Sequence, residues 1–146
     1  MTSAGRRVLL AEDDRFLRRA CEVSLSQRGI TVLSAIDGAA ALEMARTEPV
    51  DLILLDMLMP RMNGLDVLRS LRADERTRHI PVLVLSNSSR EEDMARVTEL
   101  GVLGYLVKAN LSLRELGDRV IAILDGRPDG QSSAGASTAP SDASPR

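Results

Sequence analysis

Short apolar runs alternate along the chain with longer amphipathic stretches. The runs are Val8 to Ala11, Thr31 to Ala35, Leu52 to Leu55, Ile80 to Leu85 and Tyr105 to Val107. Several are apolar throughout, the pattern of parallel strands covered on both faces. Between them, apolar residues recur at helical spacing: Leu17, Cys21 and Leu25; Leu65, Leu68 and Leu71; Met94, Val97 and Leu100; Leu116, Val120 and Ile123. Each set predicts one buried helical stripe. Ser112 with Glu115 has the capping-box pattern, flanked by Leu111 and Leu116 at staple spacing, and Ser89 with Glu92 repeats the box. Gly29 and Gly101 mark helix ends. Strand and helix thus alternate five times, which predicts an open doubly wound α/β sheet with right-handed crossovers.

The 146 residues suffice for one domain with a sizeable core and are too few for two ordinary domains with a linker. Hydrophobic residues make up 44% of the chain but aromatics only 1%, so that core must be aliphatic. From Gly126 to Arg146 no Val, Ile, Leu, Met or aromatic residue occurs, and this segment is expected to be a disordered tail beyond a domain ending near Asp125. The net charge of -2 argues against non-specific attraction to nucleic acid or anionic membranes. A lone cysteine, Cys21, forms no internal disulfide and reads as a buried small hydrophobe. The apolar stretch after Arg6 and Arg7 is cut off by Glu12, Asp13 and Asp14, too soon for a signal peptide, and no run approaches a membrane span. A soluble cytoplasmic protein is expected.

In a doubly wound sheet, ligands bind beyond the carboxyl ends of the strands, where the strand order reverses. The first run ends at Glu12, Asp13 and Asp14, the third at Asp56, the fourth at Ser86 and the fifth at Lys108. Acids crowded into one crevice repel, and a hard cation relieves them; Mg²⁺ takes oxygen ligands and needs only one or two carboxylates. A carboxylate beside such a metal can attack phosphorus to form an aspartyl phosphate, with the Lys108 ammonium and the Ser86 hydroxyl neutralising the phosphoryl oxygens. Each residue alone has a simpler role: Asp13 or Asp14 as a helix cap, Ser86 in a turn, Lys108 as a solvated charge. The combination at four strand ends is what points to chemistry.

From about Arg7 to Leu124 the chain resembles the receiver domain of two-component response regulators, the family that includes the bacterial chemotaxis regulator. The most specific stretch is Asp56-Met57-Leu58-Met59-Pro60-Arg61-Met62-Asn63-Gly64, similar to the phosphoacceptor segment. Glu12 and Asp13 match the acidic pair, Ser86 the switch hydroxyl, Tyr105 the rotating aromatic and Lys108 the essential lysine. The resemblance implies a flavodoxin-like, five-stranded parallel sheet of order 2-1-3-4-5 with helices on both faces. It implies that Asp56 is phosphorylated, and that Asp13, Asp56 and the backbone carbonyl of Leu58 ligate Mg²⁺, with Glu12 acting through a bound water. It also implies that Ser86 and Tyr105 move together on phosphorylation. Where the family has Lys-Pro joined by a cis bond, this chain has Lys108-Ala109. A non-proline cis bond costs roughly 2.5 to 4 kcal/mol, so cis geometry is disfavoured here, while the flexible stem of Lys108 is expected still to reach the site.

His79, the only histidine, precedes Ile80-Pro81 and reads as a loop residue at the end of the sheet opposite the acids. Gly38 and the alanines after it form no phosphate-binding glycine loop. An aspartate-nucleophile phosphohydrolase is the enzymatic alternative, but its usual general acid two positions after the nucleophile is replaced by Leu58. A non-phosphorylated pseudo-receiver conflicts with the intact set of site residues. The expected protein is a single-domain switch rather than an enzyme, taking its phosphoryl group from a sensor histidine kinase or histidine phosphotransfer protein. It acts on a downstream protein without binding DNA directly. Leu58 and Ser88, which border the approach of water to the phosphorus, predict slow loss of the phosphoryl group.

Overall fold

A computed structural model describes residues 6–59, 62–87 and 91–126, with the side chains of residues 91–93 excepted. Five parallel strands form one sheet among these residues: β1 (Arg7–Ala11), β2 (Thr31–Ala35), β3 (Leu52–Asp56), β4 (Val82–Ser86) and β5 (Gly104–Val107), in the spatial order β2-β1-β3-β4-β5. Helices α1 (Arg15–Ser26), α2 (Gly38–Thr47), α3 (Gly64–Ala73), α4 (Glu91–Glu99) and α5 (Leu113–Leu124) alternate with them. The expected doubly wound sheet and its strand order are therefore present.

The apolar runs become strands because alternate side chains are claimed by opposite layers. On β3, Leu52 and Leu54 join a cluster with Cys21 and Leu25 of α1 and Leu116 and Val120 of α5. Ile53 and Leu55 face the other way, into a cluster with Ala41 and Leu42 of α2, Leu68 and Leu71 of α3 and Val97 of α4. A strand flanked by two helical layers has no polar face, which is why β3 and β4 are buried along their whole length. Burial of a Leu, Ile or Val side chain contributes about 1.5–3 kcal/mol, so the two layers supply the main driving force of folding.

Local signals set the element ends. Gly29 and Gly101 lie at φ 83° and 77°, the left-handed region that closes a helix without a Cβ penalty. The Ser112 hydroxyl accepts from the Glu115 N–H at 3.0 Å, the first half of the box, and Leu111 packs against the cluster that includes buried Leu116. The Ser89–Glu92 box and the tail from residue 127 lie outside the described residues. The fourth strand differs from expectation, beginning at Val82 rather than Ile80. Pro81 has no N–H to give the ladder, and the Ile80 N–H closes a turn onto the Thr77 carbonyl at 3.0 Å. No helix among the described residues is long and apolar enough to cross a membrane.

Candidate functional site

The strand order reverses between β1 and β3, whose registers bring Ala11 opposite Leu55. The residues that follow or end these two strands, Glu12 and Asp56, therefore share one crevice at the carboxyl edge. One oxygen from each of Glu12, Asp13 and Asp56 lies within 4.8 Å of the others. Glu12 is fully buried and Asp56 only 2% exposed, whereas Asp13 lies at the solvent edge. Lys108 begins a one-turn 3-10 helix (Lys108–Asn110) directly after β5. Its Nζ reaches 2.8 Å from Glu12 Oε1 and 3.1 Å from Asp56 Oδ1. No cis peptide bond occurs among the described residues, so Lys108-Ala109 is trans and the lysine reaches the crevice as expected.

Burial pushes the Asp56 carboxyl well above the ordinary carboxylate range, and the neighbouring charge of Glu12 adds to the rise. The Leu58 N–H, 3.1 Å from Oδ1, and the Lys108 ammonium act against it. Burial alone would push the Lys108 ammonium down, but hydrogen bonding and charge from Glu12 and Asp56 raise it overall, so it stays protonated. Asp56 Oδ1 is thus held by two donors, while Oδ2 is buried with no hydrogen-bond partner among the described residues. Three carboxylates against one ammonium leave a surplus of negative charge, and an unsatisfied buried oxygen is costly. Both features fit a hard divalent cation with oxygen ligands.

The switch candidates lie on neighbouring strands. Ser86, 4% exposed, ends β4 and pairs with Val107, while Asp56 pairs with Leu85. Tyr105 is half-buried on β5 opposite Val84 and packs against the cluster shared with α2, α3 and α4. The Leu58 side chain is 66% exposed beyond Asp56, and Ser88 lies outside the described residues. His79 is exposed before β4, at the edge away from the acids.

Of the two acids that qualified as caps, Asp14 takes the role, accepting from the N–H groups of Phe16 and Leu17 at 2.9 and 3.1 Å. That leaves Asp13 for the crevice. Two supporting residues were not singled out by sequence. Arg18 reaches back to the Glu12 and Asp13 carbonyls at 3.1 and 3.4 Å, and Asp37 caps α2, its carboxylate accepting from Ala40 N–H at 2.8 Å. At Gly64 a Cβ would lie 2.6 Å from Met57 Cα and 2.8 Å from the Asp56 carbonyl oxygen, so the loop after β3 closes only over glycine. The aspartate before an alanine-rich run was a visible signal for the α2 cap, and the phosphoacceptor-like segment ends on Gly64; the Arg18 contact carries none.

Residues 8–121 match the family described as response regulator receiver domain. The chain is 36% identical over 103 residues to the chemotaxis protein CheY of Pseudomonas aeruginosa, a span of 70% of this chain and 83% of that one. It spans 54% and 35% of two longer regulators that it also matches, ArlR of Staphylococcus epidermidis and the Regulator of RpoS of Escherichia coli. Among solved structures, the Francisella response regulator 1452 receiver domain is similar with a TM-score of 0.77 at 30% identity, covering 83% of this chain and 98% of that one. The receiver domain of the sensor histidine kinase PA1611 of Pseudomonas aeruginosa, with a magnesium ion coordinated in its active-site cleft, is similar with a TM-score of 0.75 at 29% identity, covering 84% and 99%.

Proposed function

The chain belongs to the response regulator receiver domain family, and from that premise we propose that Asp56 is its phosphoacceptor, charged by a sensor histidine kinase or histidine phosphotransfer protein. Phosphorylation of an aspartate is general to the family. The observation that carries the assignment to Asp56 is its asymmetric carboxylate: Oδ1 is tied to Leu58 N–H and Lys108, and Oδ2 is buried without a donor among the described residues. An oxygen free of hydrogen bonds keeps its lone pairs for attack on phosphorus. In the transfer, Oδ2 forms the new bond to phosphorus, the P–N bond of a phosphohistidine breaks, and the histidine nitrogen leaves to take up a proton.

Asp13, Asp56 and the Leu58 carbonyl would hold Mg²⁺, with Glu12 acting through a bound water. The ion, when bound, neutralises charge that gathers on the phosphoryl oxygens. Lys108 supplies a second positive charge to the same oxygens, released from Asp56 as the carboxylate becomes an acyl phosphate. Ser86 donates its hydroxyl to a phosphoryl oxygen, and Tyr105 on the adjoining strand turns inward. Partners that bind this arrangement more tightly shift the population toward it. The switch lies within the receiver domain, up to residue 125. It acts in the cytoplasm through protein contact or onward phosphotransfer, and promotes only its own phosphorylation and dephosphorylation.

Incubation with acetyl phosphate and Mg²⁺, followed by intact mass measurement, should add one phosphoryl group to the wild type and none to Asp56→Asn. Equal modification of both would defeat the assignment.

A further inference from the structure

The carboxylates that crowd the crevice are not held alike. Asp56 Oδ1 takes two donors, and Glu12 takes Lys108 on Oε1 and the Asp14 N–H on Oε2 at 2.9 Å. Asp13 is exposed, and among the described residues no hydrogen bond or ion pair orients its carboxylate. Its carboxylate turns about χ1 and χ2, and what the fold fixes is the Cα–Cβ direction from which it reaches into the crevice. A Cα–Cβ bond points where its two flanking peptide planes send it. The plane before Asp13 carries the Glu12 carbonyl, and the plane after it carries the Asp13 carbonyl.

Both carbonyls accept from one atom. Arg18 Nη1 lies 3.1 Å from the Glu12 oxygen and 3.4 Å from the Asp13 oxygen. The second plane is also held at its other end, where Asp14 N–H donates to Glu12. Arg18 is in the first turns of α1, whose start is fixed by the Asp14 cap, and among the described residues it forms no ion pair. Its charge is spent on main-chain oxygens and not on an acid.

We propose that Arg18 is a positioning residue for the cation site: by pinning the two peptide planes around Asp13, it fixes the Cα–Cβ direction from which that carboxylate reaches the crevice before any ion arrives. The inference rests on the Mg²⁺ reading above. Hydrogen-bond partners that orient metal ligands typically contribute 10–100-fold in affinity. With one donor shared at 3.1 and 3.4 Å, the lower figure applies, and Arg18→Ala should weaken binding about tenfold. The opposite sign is expected if Arg18 acted only through its charge, because removing a nearby positive group tightens the binding of a cation.

The test uses the full chain and titrates Mn²⁺, followed by electron paramagnetic resonance, in wild type, Arg18→Ala, Arg18→Lys and Asp13→Asn. Backbone ¹⁵N relaxation of the metal-free proteins is recorded in parallel. Arg18→Ala should bind about tenfold more weakly and show lowered order at the Asp13 and Asp14 amides, and Arg18→Lys, which keeps a donor, should recover most of both. Unchanged or tighter binding in Arg18→Ala overturns the proposal, as does an Asp13–Asp14 segment as rigid as in the wild type. A fall in melting temperature with unaltered affinity assigns Arg18 to stability alone and also overturns it. If Asp13→Asn binds Mn²⁺ as well as wild type, the metal-site reading itself fails, whereas a loss confined to Asp13→Asn refutes only the role of Arg18.

Discussion

Replacing Lys108 by Met keeps an apolar stem of similar reach and removes the ammonium that bridges Glu12 and Asp56. The two carboxylates would then be buried at 0% and 2% exposure without their cation. Breaking a buried ion pair by deleting one partner costs about 3–5 kcal/mol. Here the lower end applies, because 13% of the Lys108 side chain meets solvent and Asp13 opens the crevice on one side. A loss of roughly 3 kcal/mol in the metal-free protein at neutral pH is expected, read from urea unfolding followed by far-ultraviolet circular dichroism in EDTA. The pH dependence has a definite sign. The Asp56 carboxyl is raised by burial, and more so without the ammonium, so the folded variant holds a proton that the unfolded chain releases. Its stability relative to wild type should improve as pH falls through the raised value, because the protonated acid no longer needs a partner. Mg²⁺ should restore more stability to the variant than it adds to wild type. A loss below about 1 kcal/mol, the range of solvent-screened surface pairs, with no narrowing at acid pH, would refute the reasoning.

Other consequences can be checked separately. Gly64→Ala forces a Cβ to within 2.6 Å of Met57 Cα, and should cost about 1–3 kcal/mol in urea unfolding and slow acetyl phosphate modification of Asp56. Burial pushes the Cys21 thiol from 9.0 up to about 11, so a disulfide reagent at pH 8 should react only in denaturant. Above pH 9 the unfolded chain loses the Cys21 proton that the folded one keeps, and stability should fall by on the order of 1 kcal/mol per pH unit up to about 11, a slope absent from Cys21→Ala. Leu58, exposed beside Asp56, cannot hydrogen-bond a water, and Leu58→Asn should speed decay of the phosphorylated protein several-fold; equal decay removes that role. Truncation after Asp125 should leave the melting temperature unchanged in calorimetry, since the remaining residues carry no core-forming side chain.

What sequence conveys about this fold is what apolar periodicity encodes. The run at Leu52 to Leu55 becomes a strand because continuous burial demands continuous apolarity, and that is readable one residue at a time, whereas the edge strand at Thr31 to Ala35 is only partly buried and admits Thr31 and Ser34. The boundary at Ile80 was misplaced because an apolar residue before Pro81 looks the same whether its N–H joins a ladder or closes a turn. Helix α2 was legible only as a gap to be filled, since alanines bury without forming a distinct stripe of large side chains. The acids were legible because topology gathers strand ends into one place, so Glu12 and Asp13 after β1 and Asp56 at the end of β3 become one site. Arg18 was not, because a guanidinium against main-chain oxygens answers to the path of the backbone, which no side-chain pattern records, and Gly64 was visible as the end of the phosphoacceptor-like segment but not in the close approach it permits.

The same topology explains how a local event at Asp56 could be felt at a distance. Asp56 pairs with Leu85, the neighbour of Ser86, and Ser86 pairs with Val107, the neighbour of Lys108. The three polar residues thus lie at the ends of three adjacent strands, each displaced by one position from the register of the last, and a phosphoryl group formed on Asp56 would meet groups anchored at the other two strand ends. The strands are held by ladders and buried on both faces, so the response must come from the loops that follow them and the helices those loops carry. Tyr105 stands where such movement would register, two residues before the end of β5 and against the layer that includes Val97 of α4. A rearrangement that drew Ser86 toward Asp56 would alter the packing around that ring without disturbing the sheet, which is the physical requirement for a switch with two states of nearly equal stability.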